Sequence, residues 1–343
     1  MKKLLSVLLV MLMITSCATK PGNVEDTTAV KNEGNNGKVV YTSFYPIEFA
    51  TKYIVGDKIE VRSLMPAGVE VHDWEPSLKD ISKLKDSEMI IINGLELEGW
   101  LDDAKEVIDQ EKIVEVNDGV ELIKTDEDDH DHDHEDENIE EEEHDHDHED
   151  ETIEGEEHDH GETHNHEHGE YDPHIWLSIK NYQIIAKNIL NAVSNIDIDN
   201  KDIYEKNYKE LVAELEKLDK EYSDSLNQYR GKHIIVPHEA FAYLAKDYGL
   251  VQIPIENITS DSEPDLKTIA NIVDTARDEG IKTVFYEGED SAKVPNTIAQ
   301  EIGGKIMPIH TLEFITDKQS NDGENYLTLM EENYNNILES FKE

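Results

Sequence analysis

The chain has 343 residues, a formal net charge of −48 and a single cysteine, Cys17. That length allows two ordinary domains with a sizeable core. The charge excludes nucleic acid as a partner, because binding it needs a basic surface, and points to cations instead. One cysteine excludes an intramolecular disulfide.

In chain order, Lys2 and Lys3 precede an apolar run over residues 4–14 that is too short to span a bilayer. Residues 1–17 read as an export signal. The stretch Ile14-Thr15-Ser16-Cys17 resembles the lipobox of bacterial lipoproteins and makes Cys17 the expected lipidation site. Two acyl chains on one cysteine anchor firmly. Residues 18–37, rich in Gly, Asn, Thr and charge, read as a flexible tether. No later segment is apolar enough to cross a membrane. The expectation is a soluble, monomeric body held at the extracytoplasmic face of a bacterial cytoplasmic membrane, or on the periplasmic side in a diderm.

Ordered structure is predicted from Lys38. Strands are expected at 38–44, 59–64, 88–93 and 112–116, with helices at 46–55 and 77–85 and another through Trp100 and Val107. Ser77 is the expected helix cap. The run Met89-Ile90-Ile91-Ile92 has the continuous apolar character of a buried parallel strand. Beyond residue 170, helices are expected at 179–193 and 201–229. The second carries an apolar stripe of Tyr204, Tyr208, Leu211, Leu215, Leu218, Tyr222 and Leu226 at steps of three and four. At ~1.5 Å per residue it would run roughly 43 Å, the length of a whole lobe. A second alternation follows, with strands at 233–237, 250–253, 283–286 and 305–308. Helices fall at 239–248, 265–278, 294–302 and 325–341. Strands alternating with helices indicate parallel sheets covered on both faces. The predicted fold is α/β: an N-terminal lobe over 38–178, a helical linker over 179–229 with a long backbone helix, and a C-terminal lobe over 230–343.

Residues 126–170 interrupt the first lobe. They hold 25 Asp or Glu and 11 His in 45 residues, with no Lys or Arg. Such a segment cannot bury a core and is expected to be disordered without metal. Its histidines, His130, His132, His134, His144, His146, His148, His158, His160, His164, His166 and His168, form a low-affinity metal-binding loop in this reading.

Five histidines lie elsewhere, and three have distinctive settings. His72, in Val71-His72-Asp73-Trp74, sits in the loop after a predicted strand, where open α/β sheets place ligands. His174 follows Pro173, whose fixed backbone angle holds the imidazole on a rigid turn, with Asp172 as a supporting partner. His238 ends the strand Ile234-Ile235-Val236-Pro237 in the second lobe, mirroring His72 in the first. Histidine is the commonest metal ligand, and tetrahedral zinc takes about four N, S or O donors. With no thiolate, the fourth donor is a carboxylate or water. His233 starts a strand and reads as structural, and His310 as an ambiguous neighbour of the site.

The segments PAGVEVHDWEPS, DPHIWLS, HEAFAYLAKDYGL and ITSDSEPD, in that order, resemble the zinc and manganese substrate-binding proteins of bacterial ABC importers, the ZnuA, AdcA and TroA-like family. The resemblance covers nearly everything from Lys38 onward. It implies two α/β lobes on a rigid backbone helix, with the metal in the cleft and an importer permease as partner. Position by position, it makes His72 and His174 the ligands from the first lobe and His238 the third. Glu313, in His310-Thr311-Leu312-Glu313, resembles the fourth, with His310 standing where the family commonly has proline. Glu287, which also ends a strand, is the alternative ligand and reads as a supporting group. Histidine where manganese-type members often carry Glu favours Zn2+ over Mn2+. The acidic tract resembles the family's His-rich loop. The expected function is zinc capture for an importer rather than enzymatic catalysis. A manganese receptor of the same family, a surface zinc buffer or adhesin, and a zinc hydrolase are the competing readings.

Overall fold

The computed structural model describes residues 37–72, 74–125, 169–259, 264–288 and 291–342. The export signal with Cys17, most of the tether and the eleven tract histidines lie outside the described residues. Among the described residues, no helix is long and apolar enough to cross a membrane.

Two four-stranded parallel sheets form the frame. The first contains β1 (Val39–Thr42), β2 (Glu60–Ser63), β3 (Met89–Ile92) and β4 (Ile113–Glu115), in the order β2-β1-β3-β4. The second contains β5 (His233–His238), β6 (Val251–Glu256), β7 (Thr283–Tyr286) and β8 (Lys305–Pro308), in the order β6-β5-β7-β8. The two orders are the same motif used twice. Helices α1 (Tyr45–Val55), α2 (Leu78–Lys85) and α3 (Leu101–Lys105) connect the first sheet's strands. Helices α4 (Ile179–Ile196) and α5 (Lys201–Leu226) link the lobes. Helices α6 (Ala242–Tyr248), α7 (Leu266–Glu279), α8 (Lys293–Ile302), α9 (Asp317–Asp322) and α10 (Tyr326–Ser340) complete the second lobe.

The alternation of strand side chains explains why both faces of each sheet are covered. In β3, Met89 and Ile91 enter a core shared by both lobes, while Ile90 and Ile92 enter a smaller cluster on the outer face. In the second sheet, Ile234, Val236 and Phe285 join the same shared core, and Ile235 and Val284 turn to an outer cluster under α7 and α8. The lobes are therefore not two separate cores on a rod. The expected stripe on α5 buries Tyr204, Leu211, Leu215, Leu218, Tyr222 and Leu226 in the shared core. At 26 residues the helix is about 39 Å long, packing on α1 and α4 toward one end and on α6 and α10 toward the other.

Several predicted boundaries shift for local reasons. The helix expected through Val107 stops at Lys105, because the amides of both Val107 and Ile108 turn back to the Ala104 carbonyl. The helix expected from Glu239 starts at Ala242, since a tight turn, Ala240 N–H to His238 C=O at 2.8 Å, comes first. The long helix gives way to a 3-10 turn over Asn227–Tyr229. Strand β6 runs on to Glu256 through Pro254, which an edge strand tolerates. Helix α9 was not anticipated, although Thr316 and Gln319 form a capping box and Gly323 supplies its left-handed stop.

Leu211 is fully buried at the middle of the spine. Replacing it by alanine is expected to destabilise the metal-free protein by about 2–5 kcal/mol in urea titrations, whereas exposed Lys209→Ala should change it by less than about 0.5 kcal/mol.

Candidate metal centre

Four segments bring polar groups to the carboxyl ends of the two sheets, the end where ligands bind in open α/β folds. His72 lies in the loop between β2 and α2, next to the buried Val71. His174 follows Pro173 and opens the buried turn Ile175–Leu177. Asp172 Oδ1 accepts hydrogen bonds from both the His174 backbone N–H at 2.9 Å and the ring Nδ1 at 2.8 Å. This fixes the ring and leaves Nε2 to face the cleft, the orientation a metal-ligating histidine takes from its supporting carboxylate.

His238 is the last residue of β5. Pro237 before it has no N–H to donate, and the β5–β7 ladder is registered only at Ile235↔Val284. Glu313 follows β8. Between them Leu312 adopts φ 64, a left-handed conformation unusual for a bulky residue, and is 1% exposed. Such strain persists only where packing enforces it, and here it turns the chain so that Glu313 enters the cleft.

The four side chains converge. His72 Nε2 and His174 Nε2 are 3.1 Å apart. Glu313 Oε1 lies 3.9 Å from His174 Nε2 and 3.5 Å from His238 Nε2. All four ligand atoms fall within 4.8 Å of one another. Tetrahedral zinc with N/O ligands at about 2.0–2.1 Å sets them roughly 3.3–3.4 Å apart, so the group needs only small adjustment. His238 Nε2 and both Glu313 oxygens are buried without a hydrogen-bond partner. Unpaired buried polar atoms are costly, and a shared cation removes that cost.

The remaining predicted residues separate cleanly. Glu287 is outside the four-atom cluster; its Oε1 accepts from the Thr311 N–H at 2.8 Å and from the Thr311 hydroxyl at 2.5 Å. It holds the loop that carries Glu313. His310 faces α10, with Nε2 3.2 Å from Glu332 and its backbone clasped by Asn333. His233 lies near Glu279 at the amino end of β5. The tract histidines lie outside the described residues, but the base of the tract is in view. Lys124 and Tyr171 form an antiparallel bridge, and the Thr125 hydroxyl donates to the Gly169 carbonyl. Thr125, Gly169 and Tyr171 line the same cavity as His72, of about 730 Å³.

Sequence reasoning missed three supporting groups. Glu98 is buried and accepts the N–H groups of Asn93 and Gly94 at 2.9 and 3.0 Å. The Asn93 side chain donates to the Pro173 carbonyl at 2.9 Å, directly before His174. The Tyr243 hydroxyl donates to the Asp172 carbonyl at 2.7 Å and accepts from the Ile123 N–H at 3.1 Å. A charged Glu98 among Leu95, Leu97, Trp100 and Leu101 was the available signal.

A family model for the periplasmic zinc-uptake complex component A, ZnuA, matches residues 40–340. The chain belongs to the ZnuA family. It is 35% identical over 331 residues to the high-affinity zinc uptake system protein ZnuA of Bacillus subtilis, covering 96% of this chain and 94% of that protein. It is 32% identical over 305 residues to the zinc-binding lipoprotein AdcA of Streptococcus pneumoniae, covering 87% of this chain but only 55% of that longer protein. The crystal structure of the Zn(II)-bound ZnuA-like domain of the same AdcA superposes with a TM-score of 0.69 at 27% identity, over 90% of this chain and 100% of that domain. The family's two-lobed architecture is the one described above.

Within this ZnuA-family site, burial sets the protonation states. It holds His174 well below the usual imidazole range, with the nearby His238 adding to the effect. It pushes Asp172 up to about 7, against the pull of the His174 N–H and the His238 ring. Burial likewise raises Glu313, to about 7, against smaller opposing effects from Glu70 and the Val71 backbone that stop short of hydrogen-bond geometry. Glu287 rises to about 8, through burial first and the neighbouring Glu313 carboxylate second, against His238 and Thr311.

A carboxyl raised on folding contributes stability below its unfolded pKa and loses it as pH climbs through the folded value. A depressed histidine acts in the opposite sense, but only below the ordinary imidazole value of 6.5. Between pH 6.5 and about 8 the carboxyls alone operate, so the melting temperature of chelator-treated protein is expected to fall as pH rises. Scanning calorimetry across that window checks the slope; a rising melting temperature would contradict the assignment.

Proposed function

We propose that the chain is an extracytoplasmic zinc receptor that captures Zn2+ with His72, His174, His238 and Glu313 and passes it to a membrane ABC importer. The observation that carries this reading is the meeting of four polar atoms, from segments more than 200 residues apart in sequence, within 4.8 Å. Three imidazoles and one carboxylate make a donor set suited to zinc, whereas manganese is better served by oxygen.

Zn2+ here is cargo. The first lobe offers His72 and His174, and the second offers His238 and Glu313. Binding therefore ties the lobes together through their ligand shell, and separating the lobes dismantles it. Four protein donors complete a tetrahedral shell and leave no open position for an activated water, which argues against hydrolysis. Asp172 keeps its proton-accepting oxygen on His174 Nδ1, so the ring meets the metal through Nε2 without losing a proton there. The raised Glu313 carboxyl gives up its proton when a dication arrives, so capture at neutral pH releases protons. In this reading Cys17 carries the lipid anchor, the receptor is monomeric, and the tract collects zinc loosely beside the cleft.

His174→Ala is expected to weaken zinc binding by more than about 100-fold in chelator-competition titrations, and Asp172→Asn by about 10- to 100-fold. Removing residues 126–168 should lower the number of ions bound far more than the affinity of the tightest one. Loss of tight binding in that deletion, with His174→Ala retaining it, would move the high-affinity site out of the cleft.

Isothermal titration at pH 7 in buffers of differing ionisation enthalpy should show net proton release on zinc binding. Glu313→Gln should reduce that release along with the affinity. An unchanged proton count in Glu313→Gln would show that this carboxyl is not the group displaced.

A further inference from the structure

The second lobe has a cavity that the metal centre does not use. Strands β5 and β7 are neighbours that start at His233 and Thr283. Their carboxyl ends lead to His238 and Glu287, beside the metal centre. The cavity lies at their amino ends, the opposite pole of the sheet, and has a volume of about 120 Å³. The chain before β5, the turn over 279–282 and the end of α10 close it in.

Its wall is apolar. Ile234 and Phe285 are buried, and the rings of Tyr229 and Phe341 stack on each other with centroids 4.8 Å apart. Thr283 shares a strand face with Phe285, two residues on, so its side chain turns to the same wall. Thr283 is 2% exposed, and its Oγ1 has no hydrogen-bond partner. A buried, unpaired hydroxyl costs stability that a valine of the same shape would not. His233 lines the cavity too, and its Nδ1 is also buried without a hydrogen-bond partner. The Glu279 carboxylate stands 3.6 Å from it, too far to serve as one.

Size and charge narrow the ligand. An apolar cavity of about 150 Å³ takes benzene, so this one has room for a single six-membered ring. The lining carries two lysines, Lys232 and Lys282, against the one carboxylate of Glu279. Lys282 is fixed by donating from Nζ to the Ile302 carbonyl at 3.0 Å. The nearby Glu279 carboxylate favours the His233 tautomer with its proton on Nδ1. Hydroxyl, ring N–H and ammonium are then all donors, and the group that matches them is an anionic acceptor with two oxygens.

We propose that this cavity is a binding site for a small monocyclic aromatic carboxylate. Its ring lies against Phe285 and the Tyr229–Phe341 pair, and its carboxylate accepts from the Thr283 hydroxyl and faces Lys232. The site stands apart from zinc capture and does not depend on it.

Benzoate is the test ligand, titrated into the full zinc-loaded chain by ligand-observed NMR. A molecule of about nine non-hydrogen atoms is expected to bind with a Kd of about 0.1–1 mM. Thr283→Val should weaken benzoate at least about tenfold while leaving the melting temperature unchanged or raised. Lys232 is exposed, so Lys232→Glu leaves the fold alone and should weaken benzoate by about fivefold or more. Benzylamine, a similar ring bearing a cation, should bind the parent chain at least about tenfold more weakly than benzoate. Absence of saturable benzoate binding below about 10 mM overturns the proposal, as does parental affinity in either variant. Benzylamine binding as tightly as benzoate assigns the cavity to the ring alone and also overturns it. Benzoate binding that disappears when zinc is removed belongs to the metal centre, which overturns it as well.

Discussion

Three ring nitrogens and a carboxylate oxygen, drawn from both lobes, face one another across a narrow gap. Holding them there without a hydrogen-bond partner for His238 Nε2 or Glu313 is unfavourable for the isolated chain. The fold sustains this because the lobes share a core. Leu211, Leu215 and Tyr222 of α5, Trp176 beside the site, and Val236 and Phe241 near His238 belong to one apolar cluster. The Trp176 indole N–H donates to the Thr311 carbonyl at 2.7 Å, and the Tyr326 hydroxyl donates to the Trp176 carbonyl at 2.7 Å. The turn that presents His174 and the loop that presents Glu313 are thereby fastened to each other across the lobes.

The electrostatics follow from that burial. Among the described residues, Asp172, Glu98 and Glu287 near the cleft are met by N–H and hydroxyl donors rather than by lysine or arginine, while both Glu313 oxygens have no hydrogen-bond partner. Asp172 takes the His174 N–H groups, Glu98 takes two backbone amides, and Glu287 takes Thr311. With no fixed cation as partner, the site's negative charge is available to a mobile one. Burial raises the carboxyl pKa values, and a cation that binds such a carboxylate displaces its proton. The acidic field of the whole chain acts differently: it concentrates cations near the molecule but does not choose among them. Choice belongs to donor type and spacing.

Much of this was readable in the residues themselves. The apolar run of β3, the stripe of α5 and the Ser77 cap each follow from short-range periodicity or capping chemistry. His72, His174 and His238 stood out because each falls beside a strand end or a rigid proline turn. Glu313 needed the family resemblance, since nothing in its local sequence separates it from Glu287. Its selection rests on the left-handed Leu312, a conformation that no sequence rule assigns to leucine. Asn93 and Tyr243 were missed because each acts on a backbone group distant in sequence, and Glu98 because its local bonds matter only through Asn93. Glu98 orders Asn93, Asn93 holds the Pro173 carbonyl, and Tyr243 spans from α6 to the chain on both sides of the tract.

The sequence by itself determined the fold class, the long spine, the acidic interruption and the three histidines, because periodicity, composition and backbone restriction act over a few residues. Tertiary structure decided the rest. It joined the inner faces of both sheets in one shared core, since which face of a helix meets which sheet depends on the whole packing. It drew Glu313 rather than Glu287 to the histidines, since the choice turns on the path of a loop strained by burial. It also set His310 aside to face Glu332, a pairing that only the position of α10 creates.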